Sequence, residues 1–159
     1  MSFFSKGTYD IFLTHAWSYT DEWQSVVLIL DKYLPGKWRN WSLPWHDTSI
    51  ERFSSEGREQ LGRLLHGHIS MSSAVLFLPG PLNRAEGRLW LEKEMDVAAA
   101  LKKPVIGVRL SPDTEFPPEF NNRIATIVNA DGAEIISAIN SCQENAIKYG
   151  RSSGQTRCV

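Results

Sequence analysis

A chain of 159 residues, 42% apolar and 22% charged, is long enough for one domain with its own core and has the balance of a globular protein. Its net charge of -1 gives no basic footprint for nucleic acid and no polybasic patch for anionic membranes. No apolar run reaches the length of a membrane span, MSFFSKGTYD lacks a signal-peptide pattern, and Cys142 and Cys158 make neither a disulfide framework nor a zinc site. A reduced, cytoplasmic chain is therefore expected.

YDIFLTHA (9–16) is the first strand, apolar on both faces as a strand inside a parallel sheet requires. Ser18 and Asp21 form a capping pair for a helix through DEWQSVVLILDKYL, and Pro35-Gly36 ends it. KWRNWSL (37–43) is a second strand followed by a loop. A helix over roughly 55–70 then puts Leu61, Leu64, Leu65 and Ile69 on one face. SAVLFLPG (73–80) is an aliphatic strand stopped by Pro-Gly-Pro, and RLWLEKEMDVAAAL (88–101) belongs to a helix capped by Asn83. PVIGVRL (104–110) is a fourth strand, SPDTEFPPEF a proline-rich loop, and IATIV (124–128) a fifth strand. Asp131 and Glu134 cap a last helix through about Lys148.

Strands alternating with helices imply βαβ units, right-handed crossovers and a parallel sheet covered on both faces. The expected fold class is α/β, a flavodoxin-like three-layer sandwich with a five-stranded parallel sheet in the order 2-1-3-4-5. Residues 1–149 form the single domain, and 150–159 a disordered tail with little that could pack.

In such a sheet ligands bind outside the carboxyl ends of the strands, at the switch in strand order. Those ends are Thr14-His15-Ala16-Trp17, Asn40-Trp41-Ser42, Leu78-Pro79-Gly80 and Arg109-Leu110, polar or aromatic where the strands are aliphatic. There is no G-x-x-x-x-G-K-[ST] loop and no G-x-G-x-x-G after the first strand, so a phosphate would rest on helix N-termini and side chains. A receiver domain needs an aspartate ending its third strand, where this chain has Leu78-Pro79-Gly80. No metal is expected, because His66 and His68 stand two apart on a helix, and His15 and His46 lack spaced partners. No G-x-S-x-G elbow exists, and neither cysteine lies near a strand end. Trp38 is expected in the core, whereas Trp41 and Trp45 divide between packing and stacking on a ligand.

The third helix carries the sharpest anomaly. At ~100° per residue, Glu92, Lys93 and Asp96 fall on the wet side, but Glu94 shares a stripe with Trp90, Val97, Ala98 and Leu101. Burying an ionised carboxylate costs several kcal/mol (~5) unless it is paired or its pKa rises. Glu94 is either a structural glutamate paired with a cation such as Arg39, Arg88 or Arg109, or a functional one.

W-L-E-K-E followed by M-D-V-A-A-A-L-K-K-P-V-I-G-V resembles the third-helix region of TIR domains, where a tryptophan precedes the functional glutamate by four positions. YDIFLTHAW, KWRNWSLPWHD and KPVIGVR look like the MTH538-type TIR-like family, which includes the TIR protein of the bacterial Thoeris antiphage system. The resemblance covers roughly residues 8–140. It implies a flavodoxin-like fold and an enzyme that cleaves the nicotinamide–ribose bond of NAD+, taken as substrate, with no cofactor. It further implies a phage-derived trigger, and release of an ADP-ribose-derived, often cyclic, messenger that switches on a separate effector. It allows a homo-oligomer.

Residue by residue, the resemblance makes Glu94 the catalytic glutamate and Trp90 its helix neighbour. Thr14, His15, Ala16 and Trp17 would border the nucleotide. Asn40, Trp41, Ser42, Pro44, Trp45 and His46 would supply the second strand end and a lidding loop, with Trp41 and Trp45 as a wall favouring cyclisation. The first strand ends T-H-A-W where ordinary TIR domains have a serine-rich turn. Two other readings stay open: a non-catalytic TIR adaptor that assembles through loops such as DTEFPPEF, and a nucleoside deoxyribosyltransferase-like enzyme with Glu94 as nucleophile.

Overall fold

In the computed structural model, residues 8–14, 21–42, 54–80 and 85–149 are described. Five strands, β1 (Tyr9–Leu13), β2 (Trp38–Asn40), β3 (Ala74–Phe77), β4 (Val105–Arg109) and β5 (Thr126–Asn129), alternate with four helices. The helices are α1 (Asp21–Tyr33), α2 (Ser55–Met71), α3 (Ala85–Ala100) and α4 (Gly132–Tyr149). All strand pairs are parallel and the sheet order is β2-β1-β3-β4-β5. This is the α/β, flavodoxin-like arrangement expected from the alternation, with its switch point between β1 and β3. No helix among the described residues is long and apolar enough to cross a membrane.

Period-2 alternation divides the sheet's side chains between two cores. Ile11, Leu13, Ala74, Leu76, Leu78, Ile106 and Val108 face the layer formed by α1 and α4, with Val26, Leu30, Ile135 and Ile139. Phe12, Val75, Phe77 and Val105 face α2 and α3, with Leu61, Leu65, Ile69, Trp90, Leu91, Met95 and Ala98. β3 is buried along its whole length, as a central strand covered on both sides must be. Gly107 lets a second-layer ring approach: a Cβ there would stand 3.0 Å from Phe116 Cε1.

The helices end where their chemistry dictates. Ser54 caps α2 by accepting from Gly57 N at 3.0 Å, and Asp131 Oδ1 accepts from Ala133 N at the start of α4. Glu134 reaches back to Asn129 N rather than to Asp131 N, so the expected box closes two residues further out, on the end of β5. Just past α3, Lys102 takes a left-handed φ of 57°, Lys103 N donates to Ala98 O, and Pro104 follows. The strands are shorter than the sequence suggests: 9–16 becomes Tyr9–Leu13 and 37–43 becomes Trp38–Asn40. In the proline-rich loop Pro118–Phe120 make one 3-10 turn, which presses Phe120 into the second core. Ser18 and Asn83, expected as caps, and the tail 150–159 lie outside the described residues. One expectation is corrected: Cys142, buried on α4, is not a free thiol, so the chain is not the fully reduced one inferred from two cysteines.

Candidate functional site

The carboxyl edge at the switch point is tied together by side chains from the first turn of α1. Glu22 Oε1 accepts from Gly80 N, just past β3, at 2.8 Å. The next residue, Trp23, donates its indole N–H to Ser42 Oγ at 3.2 Å, and the same oxygen accepts from Leu13 N at 3.3 Å. Two successive residues of one helix thus bind the ends of β1, β2 and β3. β2 is too short to pair with Leu13, and Ser42 supplies the missing acceptor. Thr14, fully buried, completes the arrangement: its N donates to Leu76 O and its hydroxyl accepts from Leu78 N at 2.8 Å. Burial pushes the Glu22 carboxyl above its ordinary value, and the Gly80 hydrogen bond only partly opposes this.

Glu94 is 2% exposed, the one ionisable side chain in the buried class among the described residues. Trp90 (3%), Leu91, Met95 and Ala98 surround its position on α3. Glu92, Lys93 and Asp96 lie at or near the surface, so the helical wheel separates wet from dry carboxylates as expected. Glu94 has a polar partner. Two of the cations proposed for it are committed elsewhere: Arg39 holds Asp10, while Arg88 holds Glu119 and Glu92. Lys93 stands 4.9 Å from the Trp90 ring centroid, over its face.

The second-strand residues are placed with equal clarity. Asn40 is exposed and its Oδ1 accepts from Ser42 N, a local turn. Trp41 is half-buried against the α2–α3 core, donates its indole N–H to Asp10 Oδ1 at 2.8 Å and meets His68 edge-on at 5.8 Å. His68 Nδ1 donates to Trp41 O at 2.6 Å. Trp38 packs on the α1–α4 core and donates to Asp31 at 2.9 Å, as expected of a core tryptophan. Thr14, Asn40, Trp41 and Ser42 are therefore drawn together at one edge, each with a hydrogen-bonding partner within the protein. Trp90 and Glu94 lie on the helix that leaves the neighbouring strand. His15, Ala16, Trp17, Pro44, Trp45 and His46 lie outside the described residues.

Sequence reasoning missed Glu22 and Trp23. Both fall in the first turn of the helix after β1, which a doubly wound fold turns toward the carboxyl edge, and that position was the available signal. An acid in the first turn of a helix is ordinary on dipole grounds, so residue type alone does not single out Glu22.

The fold and site define an α/β protein of the doubly wound, flavodoxin-like class, with a carboxyl-edge site and a buried glutamate on the helix after its central strand. No family model matches the sequence, and no curated protein matches it. Among solved structures the chain is similar to the CMP N-glycosidase BcmB of Clostridium botulinum, at 14% identity and a TM-score of 0.46, over 82% of this chain and 96% of that one.

Proposed function

We propose that this chain is a TIR-like enzyme of the MTH538 type, akin to ThsB of the Thoeris system, that cleaves the nicotinamide–ribose bond of NAD+. The observation that carries the proposal is Glu94, a carboxylate 2% exposed on the buried stripe of α3, four residues after the equally buried Trp90. A core position that Leu would fill at lower cost holds a carboxyl group.

Nicotinamide leaves readily because its ring nitrogen is cationic in NAD+. The C–N bond breaks with its electron pair going to the ring, so neutral nicotinamide departs and an oxocarbenium-like ribose remains. The Glu94 carboxylate stabilises that cation, directly or through the ribose hydroxyls, and does so more strongly in a dry site than in water. Water then adds at the anomeric carbon and loses a proton, giving ADP-ribose. A hydroxyl or ring nitrogen of the same nucleotide adds instead where the site excludes water, giving a cyclic isomer. In this proposal the cyclic product is a cytoplasmic messenger that activates a separate effector after a phage-derived trigger.

NAD+ turnover and product mass for wild type and Glu94→Gln, in lysate from phage-infected cells, test it. The substitution should lower turnover about 100- to 1000-fold in a folded protein. Equal turnover in both would return Glu94 to a structural role.

A further inference from the structure

Arg109 ends β4, and by alternation with Val105 and Gly107 its side chain leaves the sheet on the face that carries α2 and α3. Gly107 pairs with Phe77, the last residue of β3, so Arg109 stands two residues further toward the carboxyl edge, about 7 Å on. β3 has ended there, and the chain has turned into Leu78-Pro79-Gly80. Arg109 therefore projects past its neighbour strand on the same side of the sheet as Trp90 and Glu94.

Arg109 differs from the other arginines of the described residues, of which Arg58 is exposed on α2 and four are held in ion pairs. Arg39 holds Asp10, Arg63 holds Glu59, Arg88 holds Glu119 and Glu92, and Arg123 holds Asp96. Arg109 is half-buried and makes no ion pair among the described residues, and its Nε is buried with no hydrogen-bond partner. The guanidinium keeps a buried donor open, and of the groups that could satisfy it an anion answers both its charge and its geometry. The chain also lacks the sequence of a phosphate-cradling loop, which leaves helix N-termini and side chains to do that work.

We infer that Arg109 is an anion-binding residue of the carboxyl-edge site, which takes a phosphate of the dinucleotide through its guanidinium fork. The inference rests on the proposed NAD+ reading for the identity of the ligand, but not for the existence of the anion site. A fork with two parallel donors suits a pyrophosphate oxygen pair better than a lysine would.

The test is calorimetric titration of the purified protein with ADP-ribose and with adenosine, which lacks phosphate. In Arg109→Gln the affinity for ADP-ribose should fall about 10- to 100-fold while that for adenosine is unchanged, and Arg109→Lys should recover part of the loss. Inorganic pyrophosphate should displace ADP-ribose, but not adenosine, from the wild-type protein, a measurement that needs no variant. Unchanged ADP-ribose affinity in Arg109→Gln, equal loss of adenosine, or failure of pyrophosphate to compete would each overturn the inference. Because nothing here requires turnover, a protein that binds ADP-ribose through Arg109 yet leaves NAD+ intact would sink the enzyme reading alone.

Discussion

Glu94→Leu separates a functional carboxylate from a structural one by stability as well as by activity. A Leu at a 2%-exposed position gains about 2 kcal/mol from burial. It also relieves the desolvation of a buried polar group, about 1–3 kcal/mol. Against this, the group that Glu94 engages loses its partner, a penalty of about 1–3 kcal/mol. The balance favours Leu by about 2 kcal/mol, which for a domain of this size is a rise in Tm of about 4–8 °C. Scanning calorimetry or thermal melts followed by circular dichroism would read it, alongside NAD+ turnover, which should be lost. A Tm that falls by several degrees, with Glu94→Gln retaining full turnover, would show that the carboxylate is there to hold the fold. Glu94 would then have no part in catalysis.

Three further outcomes follow from the hydrogen bonds at the sheet edge. Burial raises the Glu22 pKa above its ordinary 4.5, so the stability it contributes is present below 4.5 and lost as pH rises through the raised value. Melts of Glu22→Gln against wild type from about pH 4 to about pH 8 should show the variant gaining on wild type as pH rises, and a constant difference would refute this. Asp10 titrates the other way: the Arg39 hydrogen bonds hold its carboxyl below the ordinary 3.8, with Trp41 N–H adding to the effect and burial opposing it. Its contribution is present above 3.8 and lost as pH falls through the lowered value, so Asp10→Asn should flatten the acid limb of the stability profile. An unaltered acid limb would dismiss the pair as ornamental. Thr14→Val leaves Leu78 N without its acceptor in a fully buried site and should cost about 1–3 kcal/mol, with KM for NAD+ unchanged in the folded protein. A raised KM at unchanged Tm would instead make Thr14 a contact for the nucleotide.

What could be read in the sequence followed from periodicity, and what could not depended on distance in the chain. β3 is legible because AVLF is aliphatic on both faces and a Pro-Gly-Pro stops the run. Glu94 is legible because 3.6-residue spacing fixes its neighbours whatever the tertiary fold. The strand ends were overextended because Ser42 and Thr14 are compatible with β structure. Only the fold reveals that Ser42 Oγ takes the bond a longer β2 would have made. Glu22 gave no local signal, since its partner Gly80 is 58 residues away. Trp41 was equally undecidable, because Asp10 and His68, which fix its indole and its backbone, come from two other elements.

The two faces of the sheet do not carry the same costs. On the α1–α4 side, polar groups at the rim find partners within the protein: Trp38 on Asp31, Tyr9 on Asn140, Glu22 on Gly80. Nothing ionisable in the buried class belongs to that layer among the described residues. On the α2–α3 side lie both a fully buried carboxylate, Glu94, and a buried guanidinium nitrogen of Arg109. They are an acidic and a basic group on neighbouring elements, the helix after β3 and the end of β4. Either could be replaced by an apolar residue with better packing, so their retention on one face is a stability cost concentrated there. A cationic sugar intermediate needs a negative neighbour, and the phosphates beside it need a positive one. In the reading proposed above, a single dinucleotide laid along this face toward the carboxyl edge would meet both requirements.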